Sequence, residues 1–189
     1  MEHNGVIFIA QGDKAQEMVK GAIAALEESG GIGWGVIEDL PKATGLPGRW
    51  GKVNLYNLSA CEQTLYLDVD TVVHEDVQAG FDLLDDGWDM VICPSAGDWL
   101  GHIDQAERDL THDELGWQPL QLQAGVFWFR RSDAIRRFFE AWREEWQRFE
   151  GEDQGAMLRA LYRCPVRVWL MGRPWNGGEA IEHNYGALR

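Results

Sequence analysis

Apolar residues along this chain come in two alternating rhythms. VIFIA at 6–10, TLYLD at 64–68, MVIC at 90–93 and GVFWF at 125–129 are short, nearly solid runs without helical spacing. Such runs predict strands covered on both faces. Residues 34–38 and 166–170 read as two further strands. Elsewhere the spacing changes to threes and fours: Ala15, Met18, Val19, Ala22, Ile23 and Leu26 form one stripe, closed by Gly30 and Gly31. Val77, Gly80, Phe81 and Leu84 form another. The longest, Ile135, Phe138, Phe139, Trp142, Trp146 and Phe149, is capped by Ser132 and stopped by Gly151, with its arginines and glutamates on a solvated face. A short helix is predicted from Asp153. Strands alternating with helices on this scale imply an α/β fold with a mainly parallel central sheet flanked by helices.

Three stretches interrupt the alternation. Residues 41–51, PKATGLPGRWG, read as a loop that delivers Arg49 and Lys52 ahead of a short helical stretch at 53–59. Residues 94–121 are irregular and carry Trp99, His102, Asp104, His112 and Trp117, which suits either a functional loop or a surface excursion. GGIGWG at 30–35 has the glycines of a dinucleotide fingerprint, but it follows a helix and precedes a strand. That is the reverse of what a pyrophosphate cradle needs, so it reads as a turn.

Composition narrows the picture. With 189 residues, no repeat and no linker, the chain is expected to form one domain over 1–189. No apolar run reaches the length of a membrane span, and MEHNGVIFIAQGD lacks the basic flank of a signal peptide, so a cytoplasmic location is the expectation. Cys61, Cys93 and Cys164 are odd in number and lack CxxC spacing, which argues for buried thiols rather than disulfides or a zinc site. The net charge of −14 is uneven, with 6 basic and 22 acidic side chains up to residue 129 and 11 against 9 after it. Without a basic stripe, nucleic acid is a poor partner. A small polyphosphate would need a metal and a few basic residues to supply positive charge locally.

The densest candidate chemistry lies at the end of the third predicted strand, where Asp68 and Asp70 stand one residue apart. Carboxylates there occupy the edge at which open α/β sheets bind ligands. Two like charges so close persist as a pair when a cation lies between them or when they share a proton. The first arrangement suits a divalent metal, the second a catalytic acid and nucleophile.

DVD at 68–70, LQAGVFWF at 122–129, GEDQG at 151–155 and HNYGALR at 183–189 occur in an order and spacing that resembles the glycogenin-like and galactosyltransferase-like glycosyltransferases of family 8, which have the Rossmann-like GT-A fold. The resemblance covers most of the chain. It implies transfer of a sugar, with retention, from a nucleotide-diphosphate sugar such as a UDP-sugar to an acceptor that is a glycan, a protein or a small molecule. Mn2+ or Mg2+ is the implied cofactor, held by Asp68, Asp70 and His183. Gly186 and Arg189 match the family's phosphate-binding element, with Arg in place of its Lys. Lys52 matches a lysine at the nucleotide end of the donor, and Ala10, Gln11 and Gly12 occupy the loop that holds the base. Gln123 and Gly125 fall where the family has an amide near the donor sugar. Asp153 and Gln154 match its Asp-Gln pair, with Gln154 implied behind the anomeric carbon; Asp153 also stands where a helix cap would. At 189 residues the chain is short for the family, so the acceptor side is expected to be pared down or supplied by a partner.

Two other readings remain open. DVDTVV also fits the first motif of HAD-type phosphatases, with Asp68 as nucleophile, Asp70 as acid and Ser95 as a second motif, although two strands and a helix precede it and no lysine follows Lys52. A non-catalytic nucleotide-sugar-binding module is the other.

Overall fold

A computed structural model of the chain describes residues 3–30, 32–38, 40, 47–95, 103–116 and 119–185. Its centre is a six-stranded sheet in the order β2-β1-β3-β6-β5-β7, formed by β1 (Asn4–Ile9), β2 (Trp34–Ile37), β3 (Gln63–Leu67), β5 (Met90–Pro94), β6 (Leu122–Arg130) and β7 (Val168–Leu170). All pairings are parallel except those of β6, which runs against both β3 and β5. The expected mainly parallel α/β sheet is therefore present, with one reversed strand inside it. A second sheet pairs only β4 (Thr71–Val73) with β8 (Ile181–His183).

Alternation along the strands sorts the core into two layers, because successive side chains leave a strand on opposite faces. Ile7, Ile9, Tyr66, Phe127 and Phe129 face one way, against α2 (Pro47–Val53), α3 (Leu55–Leu58), α6 (Asp133–Gln147) and α7 (Asp153–Arg163). Val6, Phe8, Leu65, Leu67, Val126 and Trp128 face the other way, against α1 (Asp13–Ser29) and α4 (Gln78–Asp85). Each fully buried Phe or Leu contributes roughly 1.5–3 kcal/mol by leaving water. The sheet is thus fixed on both sides, and its strand ends are set as a rigid edge.

Several elements depart from the sequence expectation. Inside the irregular 94–121 stretch lies a helix, α5 (Gln105–Leu115), whose N-cap Asp104 accepts a hydrogen bond from the Ala106 amide at 2.8 Å. Residues 47–51 of the expected loop belong to α2, and Asn54 breaks the expected 53–59 helix into two. The last strand covers only Val168–Leu170, and Ile181–His183 adds an unexpected one. Helix α6 ends at Gln147, before Gly151; the chain reverses through Glu150, whose φ of 51° is left-handed, with its amide bonded to the Trp146 carbonyl at 2.8 Å. Nor is the charged face of α6 wholly solvated. Glu145 is buried and accepts from Arg159, which is 0% exposed and also bonds Glu107 and Thr111 of α5. Among the described residues, no helix is long and apolar enough to cross a membrane.

Candidate active site

The parallel strands β1, β3 and β5 end at one edge of the sheet, and β6 enters there. At this edge the Asp68 amide donates to the Gly125 carbonyl at 2.8 Å. The Asp68 carbonyl in turn accepts from the Thr71 amide at 3.2 Å and from Thr71 Oγ1 at 2.7 Å, which closes a tight turn over 68–71. Strand β4 begins at once, and its antiparallel register sets Thr71 opposite His183, while the Asn184 amide bonds the Asp70 carbonyl at 2.9 Å. A three-residue ladder thus carries a residue from the far end of the chain to the two aspartates. His183 Nε2 lies 3.2 Å from Asp70 Oδ1 and 3.8 Å from Asp68 Oδ2. One ligand atom from each of the three falls within 4.8 Å of the others.

Gly125 makes room for this cluster. A Cβ on residue 125 would sit 2.2 Å from His183 Cε1 and 2.7 Å from Asp68 Oδ2, well inside contact distance. His183 Nδ1 lies 2.7 Å from Asn176 Oδ1, and the Tyr185 ring lies over the imidazole with centroids 4.0 Å apart. Tyr185 Oη donates to the Asn176 carbonyl at 2.9 Å. Sequence reasoning missed Asn176 and Tyr185; an Asn among glycines signals a turn and nothing more.

A second chain of charges runs from Asp68 to α7. Lys52 Nζ, buried, lies 3.0 Å from Asp68 Oδ1 and 3.1 Å from Asp153 Oδ2, and 5.0 Å from the Tyr66 ring centroid. Tyr66 Oη donates to the same Asp68 oxygen at 2.6 Å. Burial alone would lower the Lys52 ammonium, but Asp153 and then Asp68 outweigh it and hold it above the ordinary lysine range. Burial first, and Asp68 second, push the Tyr66 hydroxyl well up, so it remains a donor. Asp153 is not the cap of α7: Glu152 holds that position, and the Asp153 carboxylate turns to Lys52 and to Arg49, 3.7 Å away.

The other expected residues spread along the same edge. Ala10 leaves β1 buried, with its amide on the Ile37 carbonyl at 3.0 Å; Gln11 donates to the Glu38 carbonyl, and Gly12 opens α1 at a φ of 82°. Gln154 Nε2 reaches the Leu122 carbonyl at 3.1 Å, next to Gln123. Ser95 bonds the Gln121 carbonyl through its amide at 2.8 Å. Gly186, Arg189, Trp99, His102 and Trp117 lie outside the described residues. His112 lies on α5, where its carbonyl accepts from Gly116.

Chemically, Asp68, Asp70 and His183 offer two hard oxygen donors and one imidazole nitrogen, a set that fits Mn2+ well and Mg2+ less well. Two carboxylates and an imidazole brought this close also leave negative charge that a cation would neutralise.

No protein-family model matches the sequence, and no curated protein matches it. Solved structures do. A glycosyltransferase involved in glycosylation of the major capsid of PBCV-1 superposes with a TM-score of 0.63 at 14% identity, over 98% of this chain and 94% of that one. Mouse xyloside xylosyltransferase 1 gives 0.61 at 11%, over 93% and 86%. The galactosyltransferase LgtC, solved with donor and acceptor sugar analogues, gives 0.56 at 15%, over 89% and 73%. The fold is that of GT-A glycosyltransferases. At these identities the likeness is one of architecture, and it bears out the fold implied by the motifs.

Proposed function

We infer that the protein is a metal-dependent glycosyltransferase, of the family 8 kind, acting on a nucleotide-diphosphate sugar. The observation that carries this is the convergence of Asp68, Asp70 and His183 on one point at the strand-end edge of a GT-A sheet. In this reading the three residues hold Mn2+ or Mg2+, and a cation there neutralises the charge that builds on the departing nucleoside diphosphate.

The chain's own residues do the rest. Lys52 holds Asp68 and Asp153 a fixed distance apart, so the first metal carboxylate and the start of α7 keep their geometry. Gln154, tied to Leu122, and its neighbour Gln123 present amides to the donor sugar, with Gln154 behind the anomeric carbon. Ala10, Gln11 and Gly12 receive the base, for which uracil is the expectation. Gly186 and Arg189, three and six residues after His183 in sequence, are assigned to the diphosphate by the family match, and arginine clasps phosphate through its planar fork. The resemblance to the family implies transfer with retention, with Gln154 behind the anomeric carbon and Asp153 beside it. The phosphatase reading places no demand on an imidazole against both aspartates, and it loses ground to that extent.

The test is a panel of nucleotide sugars incubated with Mn2+, with release of the nucleoside diphosphate followed by chromatography. Slow donor hydrolysis is expected even without acceptor. Hydrolysis of p-nitrophenyl phosphate with no donor turnover supports the phosphatase instead, and donor binding without hydrolysis supports a binding module.

A further inference from the structure

His183 is gripped on three sides, and the grip decides which of its nitrogens can accept a cation. Its Nδ1 meets Asn176 Oδ1 at 2.7 Å, and Asn176 is buried with 3% of its surface exposed. With the amide in this orientation Oδ1 can only accept, so the contact calls for a proton on Nδ1, and in the neutral imidazole, which has one N–H, Nε2 is then a bare lone pair. That lone pair points at Asp70 and Asp68. We propose that Asn176, backed by Tyr185, is a positioning residue that holds His183 as the Nδ1–H tautomer with Nε2 aimed into the aspartate pair.

The local backbone is built around this contact. The Asn176 amide bonds the Arg173 carbonyl at 3.0 Å, and its carbonyl accepts from Tyr185 Oη at 2.9 Å. Gly177 follows with a φ of 92°, and a Cβ there would lie 2.6 Å from Tyr185 Oη, so the left-handed glycine both makes the turn and admits the tyrosine. The Gly177 amide then bonds the Ile181 carbonyl at 2.9 Å and anchors the turn to β8, the strand that bears His183. Tyr185 covers one face of the ring, and Gly125 leaves the space into which Cε1 packs. Partners on the far nitrogen fix both tautomer and orientation of a metal-binding histidine, and their loss commonly costs ten- to a hundredfold in metal affinity.

The alternative amide orientation has the opposite consequence. Were Asn176 to present its NH2 group, Nδ1 would accept, Nε2 would be protonated, and His183 would donate to Asp70. Asp70 would then be satisfied by a hydrogen bond, and His183 would have no lone pair to offer a cation. The tautomer therefore separates a cation site from a closed polar triad. The proposal extends the metal reading of Asp68, Asp70 and His183, yet its readout does not depend on bound metal.

Two-bond 1H–15N correlation spectra of metal-free protein read directly which imidazole nitrogen carries a proton. The His183 signal is assigned by its loss in His183→Gln. Nδ1–H is expected in the wild type. Asn176→Ala should shift the population towards Nε2–H and weaken Mn2+ binding about tenfold, and Asn176→Asp, which keeps an acceptor, should restore Nδ1–H. An Nε2–H signal in the wild type overturns the proposal, as does an Asn176→Ala spectrum identical to the wild type. If Asn176→Ala fails to fold, the wild-type and Asn176→Asp spectra decide. If the tautomers behave as expected and Mn2+ still does not bind, Asn176 keeps its role and the metal reading fails.

Discussion

Gly125→Ala isolates the close approach on which the cluster depends. Residue 125 lies in β6 without a left-handed φ, so an alanine backbone fits the strand, and in open space the change would stabilise by about 0.4–1 kcal/mol. Space is what is missing. The added methyl would sit 2.2 Å from His183 Cε1, whereas ordinary contact begins at 3.4 Å, so the imidazole must retreat by about 1.2 Å. Asp68 Oδ2, at 2.7 Å, must move as well, and its partner oxygen is held by Lys52 and Tyr66. Metal ligands tolerate about 0.2 Å of displacement, so a shift several times larger removes His183 from any shared coordination. Strain from overpacking of this kind costs about 1–3 kcal/mol. Titration calorimetry with Mn2+ and urea denaturation give the two readouts. The variant should lose at least tenfold in Mn2+ affinity, about 1.4 kcal/mol, and should be less stable than the wild type. Unchanged Mn2+ affinity together with equal or greater stability would show that nothing crowds residue 125, and the reasoning would be refuted.

Three further outcomes are expected. Lys52→Met leaves Asp68 and Asp153 facing each other without their buried cation and should cost about 3 kcal/mol in urea denaturation at neutral pH. Because the folded Lys52 pKa is raised, its contribution is complete below the unfolded lysine value, about 10.4, and fades as pH rises from there through the higher folded value; the gap between wild type and variant should stay level from neutral to about pH 10 and narrow beyond. Arg159→Met removes the partner of Glu107 and Glu145 inside the α5–α6–α7 layer and should cost about 3–5 kcal/mol; burial, which outweighs Arg159, already holds the Glu107 carboxyl above the ordinary range, so this loss should shrink in acid as Glu107 protonates. Asp70→Asn should abolish Mn2+ binding in calorimetry while the far-UV circular dichroism spectrum stays that of the wild type, since Asp70 contributes to the fold chiefly through its carbonyl bond to Asn184.

What could be read from the sequence follows from where apolar burial sets the pattern. The strand Leu122–Arg130 announces itself as a nearly solid apolar run because both its faces are buried, and the α6 stripe announces itself because its other side is largely charged. Helix α5 does not: the residues it buries are Glu107 and Thr111, which face Arg159, so its inner side is polar and carries no hydrophobic period. Helix α2 was hidden by glycine. Gly51 looks like a loop residue, yet a Cβ there would lie 2.6 Å from Leu40 Cδ1, so it is small for close packing rather than for a turn. Strands β4 and β8 are three residues each, below the length at which alternation means anything. Asp68, Asp70 and His183 could be singled out by motif, and the structure brings all three together. Lys52 was also singled out as a nucleotide contact, and Asp153 as half of the catalytic Asp-Gln pair; that one ammonium joins them across 101 residues is a property of the packed fold.

The central claim is that Asp68, Asp70 and His183 are a cation site for a nucleoside diphosphate. Calorimetric titration of UDP into the protein, once with Mn2+ and once with a chelator, tests it most directly. Binding should appear with Mn2+ and vanish with the chelator. Equal UDP affinity under both conditions, or none under either, would contradict the account.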